Sequence, residues 1–203
     1  MRFDPKIHHR RSIRLKGYDY AQPGAYFVTL VTNQREEIFG EVAGGEMRLN
    51  QLGEIVHAEW LKTADIRPNV ELHEDEFVIM PNHVHGIIWI VDKNIVGATR
   101  RVAPTVVVTM NPRVARTKGS HTLVPNSIGA ILAQFKSITA KRINALRDTR
   151  GIAVWQRNYY ERIVRDETEM KNIWNYINTN PLHWQDDQLH PSTPPGCFNQ
   201  EKP

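Results

Sequence analysis

Cysteine occurs once in the 203 residues, as Cys197. A disulfide within the chain and a multi-cysteine zinc site are both excluded, which suits a reducing cytoplasm. Long hydrophobic runs are missing too. The longest, Ile87-Ile88-Trp89-Ile90-Val91, falls far short of the roughly 20 residues a membrane helix needs, so no membrane partner is expected. Residues 1–16 are charged and lack an apolar stretch, so they do not read as a secretory signal. No internal repeat or low-complexity tract is present. Acidic residues vanish from one long segment: residues 93–147 carry Lys93, Arg100, Arg101, Arg113, Arg116, Lys118, Lys136, Lys141, Arg142 and Arg147 without a single Asp or Glu.

What is there is a globular composition. Hydrophobic residues make up 40% and charged residues 24%, enough for one domain of ordinary size with a full core. The net charge is only +4, but it is unevenly placed. Besides the acid-free segment, residues 1–16 set Arg2, Lys6, Arg10, Arg11, Arg14 and Lys16 against Asp4 alone, so the remainder of the chain is acidic. A segregated positive surface is what a phosphate-backbone partner requires; the plainer alternative is a solvated basic loop.

Tyr26–Thr32 is β-branched and aromatic, as a strand should be. Gly44-Gly45 splits Ile38–Leu49 into a hairpin. Asn50 is placed to cap a helix with Leu52, Ile55, Val56 and Trp60 on one face and Pro68 as its outer limit. Phe77–Met80 and His85–Val91 read as strands joined by a Pro81-Asn82 turn. Residues 94–125 are irregular, with a short strand expected at Thr105–Thr109. A helix follows over about Ser127–Arg147, then a last strand, or the entry to one, at Val154–Gln156. A third helix begins at the capping pair Asp166 and Glu169, buries Met170, Ile173, Trp174 and Ile177, and ends before Pro181. The tail from Gln185 is expected to be extended. This order, β-α-β-β-α-β-α, predicts an α+β fold of the ferredoxin-like split βαβ kind: an antiparallel sheet with helices on one face and a C-terminal helix.

Two short patterns carry chemistry. His83 and His85 sit two apart in a strand, so their imidazoles share a face and suit chelation of one divalent ion; a pair of half-buried structural histidines would look the same. Ile87 at the next alternate position breaks the His-x-His-x-His pattern of histidine-triad nucleotide hydrolases. Tyr176 and Asn180 are four apart on the third helix, on the shoulder of its apolar stripe. A phenol can attack phosphorus, and an amide oxygen can approach a metal; core-edge packing and a helix end account for the same two residues.

Taken in order, Gly24-Ala25-Tyr26-Phe27-Val28-Thr29, Pro81-Asn82-His83-Val84-His85, Trp155 through Arg165, and Tyr176-x-x-x-Asn180-Pro181 resemble the HUH single-tyrosine transposases, and are most similar to the branch called REP-associated tyrosine transposases. The resemblance spans about residues 14–184. It implies that His83, His85 and Asn180 hold Mg²⁺ or Mn²⁺, with Asn180 standing where insertion-sequence relatives usually carry glutamine. It implies that Tyr176 is the nucleophile, forming a 5′-phosphotyrosine on single-stranded DNA near a hairpin, as a monomer or homodimer in the cytoplasm. Tyr159 and Tyr160 are rivals for that role, but four residues on they have only Ile163 and Val164. Arg10, Arg11, Arg14, Arg100, Arg101, Arg113, Arg116 and Lys118 are the expected DNA-backbone contacts, and Tyr18 and Tyr20 candidates for base stacking. The domain plan is a basic arm over 1–16, a catalytic domain over 17–184 with a basic insertion at 94–125 larger than the family core, and a tail over 185–203. A DNA-binding module that has lost catalysis and a metal-dependent nucleotide phosphoesterase are the competing readings.

Overall fold

The computed structural model describes residues 18–92 and 124–193. Its centre is β1, Gly24–Val31, in which all eight residues are buried. Burial of both alternating faces means that both must be covered. The hairpin follows, β2 Gly40–Ala43 and β3 Glu46–Leu49. Its corner is Gly44-Gly45 with φ of 64° and 81°, the two consecutive positive values that a tight two-residue turn demands. Helix α1, Gln51–Ile66, starts where Asn50 accepts from the Leu52 and Gly53 N–H groups at 2.9 and 3.1 Å. The short strand β4, Val70–Glu71, is not anticipated from sequence; two residues are too few to carry a period. Then come β5 Phe77–Met80, β6 His83–Ile90, α2 Ile128–Leu146, β7 Tyr160–Val164 and α3 Glu167–Thr179.

The main sheet runs β4-β6-β1-β7, with β5 also paired to β6, and every pairing is antiparallel. β6 lies between β1 and the strands that follow α1, which is the split βαβ arrangement expected. Helices α1 and α2 cover one face. There Tyr26, Val28, Leu30, Val84 and Ile88 meet Val56, Trp60, Ile131, Leu132 and Phe135 in the larger core. The other face, with Ala25, Phe27, Ile87 and Val164, is closed by Ile173 and Ile177 of α3. The C-terminal helix thus packs on the face that presents the odd-numbered β6 residues, among them His83 and His85.

Three expectations are corrected. The last strand is Tyr160–Val164; Trp155 makes only one bridge, to Thr32. Its indole instead enters the α2-side core, donating to Thr139 Oγ1 at 2.9 Å, while Glu161 and Arg162 hide the true strand by breaking its apolar alternation. Trp174 is 38% exposed and donates to Asp75 Oδ2, so the buried stripe of α3 is rotated toward Tyr176. Residues 185–193 are not an extended tail. A 3-10 segment, Asn180–Asp186, turns the chain back, and Trp184, Asp187 and Leu189 are buried against the sheet end. The Thr105–Thr109 strand lies outside the described residues.

Candidate active site and metal centre

β6 positions the two histidines, and neighbouring strands fix their rings. The β1–β6 register sets Thr29 directly opposite His85, and Thr29 Oγ1 lies 2.8 Å from His85 Nδ1. His83 is set by the residue before it. Asn82 Nδ2 donates to the Arg35 and Leu189 carbonyls at 3.2 and 2.8 Å, which determines how the amide faces. Asn82 Oδ1, an acceptor only, is therefore the atom 2.7 Å from His83 Nδ1. Nδ1 must carry the proton, and in neutral His83 the lone pair sits on Nε2, the tautomer a metal ligand needs. Both rings are 0% exposed, and their centroids are 4.6 Å apart.

Asn82 therefore joins the fold to the site. Asn82→Ala would strand the buried Leu189 carbonyl and the half-buried Arg35 carbonyl and leave His83 Nδ1 without its acceptor, the two buried losses costing roughly 1–3 kcal/mol each. We expect a loss of about 3 kcal/mol in denaturant unfolding and about 10- to 100-fold weaker Mn²⁺ binding. A variant with unchanged midpoint and unchanged Mn²⁺ affinity would refute this role.

α3 brings Tyr176 over the histidines. Its hydroxyl lies 3.1 Å from His85 Nε2, and its ring meets Phe27 edge-on at 6.2 Å and 83°. Phe27 in turn stacks on His85 at 5.5 Å. Burial, above all, pushes the Tyr176 phenol well above its ordinary range; the charge of Asp187 adds to this and a hydrogen bond from Asn180 opposes it. One turn on, Asn180 ends the helix and is only 3% exposed. Its Nδ2 donates to Asp187 Oδ2 at 3.3 Å, and its Oδ1 is buried with no hydrogen-bond partner among the described residues.

Asp187 is a candidate site residue missed by sequence reasoning. One carboxylate oxygen and one ring nitrogen from each of His83 and His85 all lie within 4.8 Å of one another, a donor set that can hold a metal ion. Its only sequence signal was an acidic residue after a proline-started turn. Trp184, from the same turn, tilts over His83 at 5.9 Å. The structure thus brings His83, His85, Tyr176 and Asn180 together, with Asp187 beside them. Tyr160 lies in the same cross-strand row as His85 but with Thr29 of β1 between them, about 10 Å away across two strand spacings. Tyr18 and Tyr20 pack edge-on to each other at 4.9 Å beside Tyr26, at the border of the larger core. Arg10, Arg11, Arg14, Arg100, Arg101, Arg113, Arg116 and Lys118 lie outside the described residues.

No family model matches the chain. An uncharacterized protein of Haemophilus influenzae is 39% identical over 189 residues, 93% of this chain and 97% of that one. A solved structure of a REP-associated tyrosine transposase bound to a REP hairpin superposes with a TM-score of 0.50 at 15% identity, covering 86% of this chain and 73% of that one. The chain belongs to the family of the Haemophilus protein and has the fold of that REP-associated tyrosine transposase. A candidate transposase from Deinococcus radiodurans R1 superposes at a TM-score of 0.42 with 14% identity, over 82% of this chain and 96% of that one. Within this tyrosine-transposase fold, no described helix is long and apolar enough to cross a membrane.

Proposed function

We propose that this protein is a metal-dependent enzyme that nicks and rejoins single-stranded DNA at hairpin-associated sites, with Tyr176 as nucleophile. The observation that carries the proposal is the 3.1 Å approach of the Tyr176 hydroxyl to His85 Nε2, within a buried histidine pair in which the His83 tautomer suits a metal. His83, His85 and Asn180 would hold Mg²⁺ or Mn²⁺. The buried Asn180 Oδ1 is the kind of atom such an ion satisfies, and a half-turn of the amide exchanges its two ends. A bound divalent ion supplies Lewis acidity to the scissile phosphate and eases removal of the phenol proton.

Tyr176 would attack phosphorus, forming a tyrosyl–phosphate bond as the bond to the 3′ oxygen breaks. The phenol gives up one proton and the leaving 3′ oxygen takes one up, so the exchange is balanced and the phosphodiester energy is kept for rejoining. Phe27 holds both rings at the reaction centre, and Trp184 limits water on the His83 side. The arm over 1–16 and the insertion at 94–125, with Arg10, Arg11, Arg14, Arg100, Arg101, Arg113, Arg116 and Lys118, would grip the phosphate backbone.

The test is a covalent complex. Incubation with labelled single-stranded hairpin DNA and Mn²⁺ is expected to give a band that survives a denaturing gel and is lost with EDTA. Tight binding without any such band would favour the non-catalytic DNA-binding reading instead.

A further inference from the structure

We propose that Asp187 is a fourth protein ligand, the anionic member of the metal set formed with His83, His85 and Asn180. This rests on reading the site as a metal centre. The His-His-Asn set is neutral, and the number of ligand charges is a main determinant of how tightly a hard divalent cation is held.

The backbone of Asp187 is fixed from both sides. Its N–H donates to the Trp184 carbonyl at 3.1 Å, and its own carbonyl accepts from Thr193 Oγ1 at 3.0 Å. The side chain is aimed inward. Oδ1 accepts from the Leu189 N–H at 2.5 Å, and Oδ2 accepts from Asn180 Nδ2. The residue is 9% exposed, and its neighbours are the Asn180 amide, the Leu189 N–H, the Tyr176 phenol and the two imidazoles. Lys62, Arg142 and Arg162 pair with Glu59 and Glu169 instead. A buried carboxylate is costly, and a cation beside it removes much of that cost.

The spacing agrees. Donors about 2.1 Å from one ion lie about 3–4.2 Å from each other in an octahedral shell. The His83, His85 and Asp187 donor atoms, already within 4.8 Å of one another, need to close by at most about 2 Å. Asn180, whose Nδ2 faces the Asp187 carboxylate, carries a buried Oδ1 with no hydrogen-bond partner among the described residues, and the half-turn of its amide would aim that oxygen at the same cluster. A plainer role exists: Asp187 caps Leu189 and merely holds Asn180 in place.

Mn²⁺ affinity of the full chain, followed by calorimetry and by loss of the free-Mn²⁺ resonance, separates the two. A ligand role predicts that Asp187→Asn weakens Mn²⁺ binding about tenfold or more, in the wild-type and in the Asn180→Ala background alike. An effect seen only while Asn180 is intact, or no effect at all, would reduce Asp187 to a positioning residue and overturn the proposal, leaving the His-His-Asn site standing. Failure of the wild type to bind Mn²⁺ would bring down the metal reading itself. Asp187→Asn keeps an oxygen for the Leu189 N–H; should it not fold, Asp187→Ser also keeps one and lacks the charge, and the same outcomes apply.

Discussion

Tyr176→Phe is expected to lower covalent DNA attachment by at least about a thousandfold while moving the melting temperature by only about 2–4 °C. The two halves of this result have different causes. The covalent bond is made by one oxygen atom, and removing a nucleophile leaves no partial substitute. The ring remains, and the ring does the packing: its edge-on contact with Phe27 and its place beside Ile173 and Ile177 need no hydroxyl. What is lost to folding is the hydroxyl's hydrogen bonding, to His85 and with Asn180 and Asp187, a net contribution of about 1 kcal/mol. Tyr160→Phe should keep the adduct, because Tyr160 stands a strand beyond Thr29. Tyr159→Phe should keep it too, since Tyr159 packs into the core on the opposite face. Adduct yield on a denaturing gel for the three variants, with melting curves in parallel, decides the matter. An adduct that persists in Tyr176→Phe and disappears in Tyr160→Phe would move the nucleophile to β7.

The parts of the site that were legible in the sequence are those set by local periodicity. Two residues apart in a strand places His83 and His85 on one face, and four apart on a helix places Asn180 under Tyr176. The alternation of β-branched residues in β1 and the cap-and-stripe pattern of α1 likewise reported the sheet and its covering helices. What could not be read depends on contacts between distant segments. That Thr29 fixes the His85 ring follows from the β1–β6 register, not from anything near either residue. Asn82 looked like turn chemistry because its three partners come from Arg35, His83 and Leu189. Trp174 looked buried because hydropathy alone cannot tell which shoulder of an amphipathic helix meets the sheet; the Asp75 acceptor decided that. Asp187 was hidden in a polar stretch whose burial depends on Pro181 starting a second, tighter turn and on Trp184 and Leu189 anchoring it.

Strand β6 has a second demand, on the face opposite the histidines, and it yields the largest stability effect. Gly86 separates His85 from Ile87 and points at α1, where Trp60 stacks on Phe77 with centroids 4.4 Å apart and planes 7° from parallel. A Cβ on Gly86 would sit 2.5 Å from Trp60 Cζ2, 2.9 Å from Cη2 and 3.0 Å from Phe77 Cδ2. The indole is 2% exposed and backed edge-on by Phe135, so it has no free volume into which to retreat. Gly86→Val adds three carbons to this contact and should cost on the order of 3 kcal/mol or more, lowering the melting temperature by about 6–12 °C. If the clash with Trp60 is the cause, Trp60→Leu should cost less stability in the Gly86→Val background than alone, with a coupling of about 0.5–3 kcal/mol; strictly additive losses would place the strain elsewhere. The consequence reaches the site because a strand cannot shift one face alone. Relief of the clash must move the backbone that carries His85, away from Thr29 and Tyr176. Gly86→Val should therefore weaken Mn²⁺ binding under conditions where the chain is still fully folded, although the substituted side chain points away from both histidines.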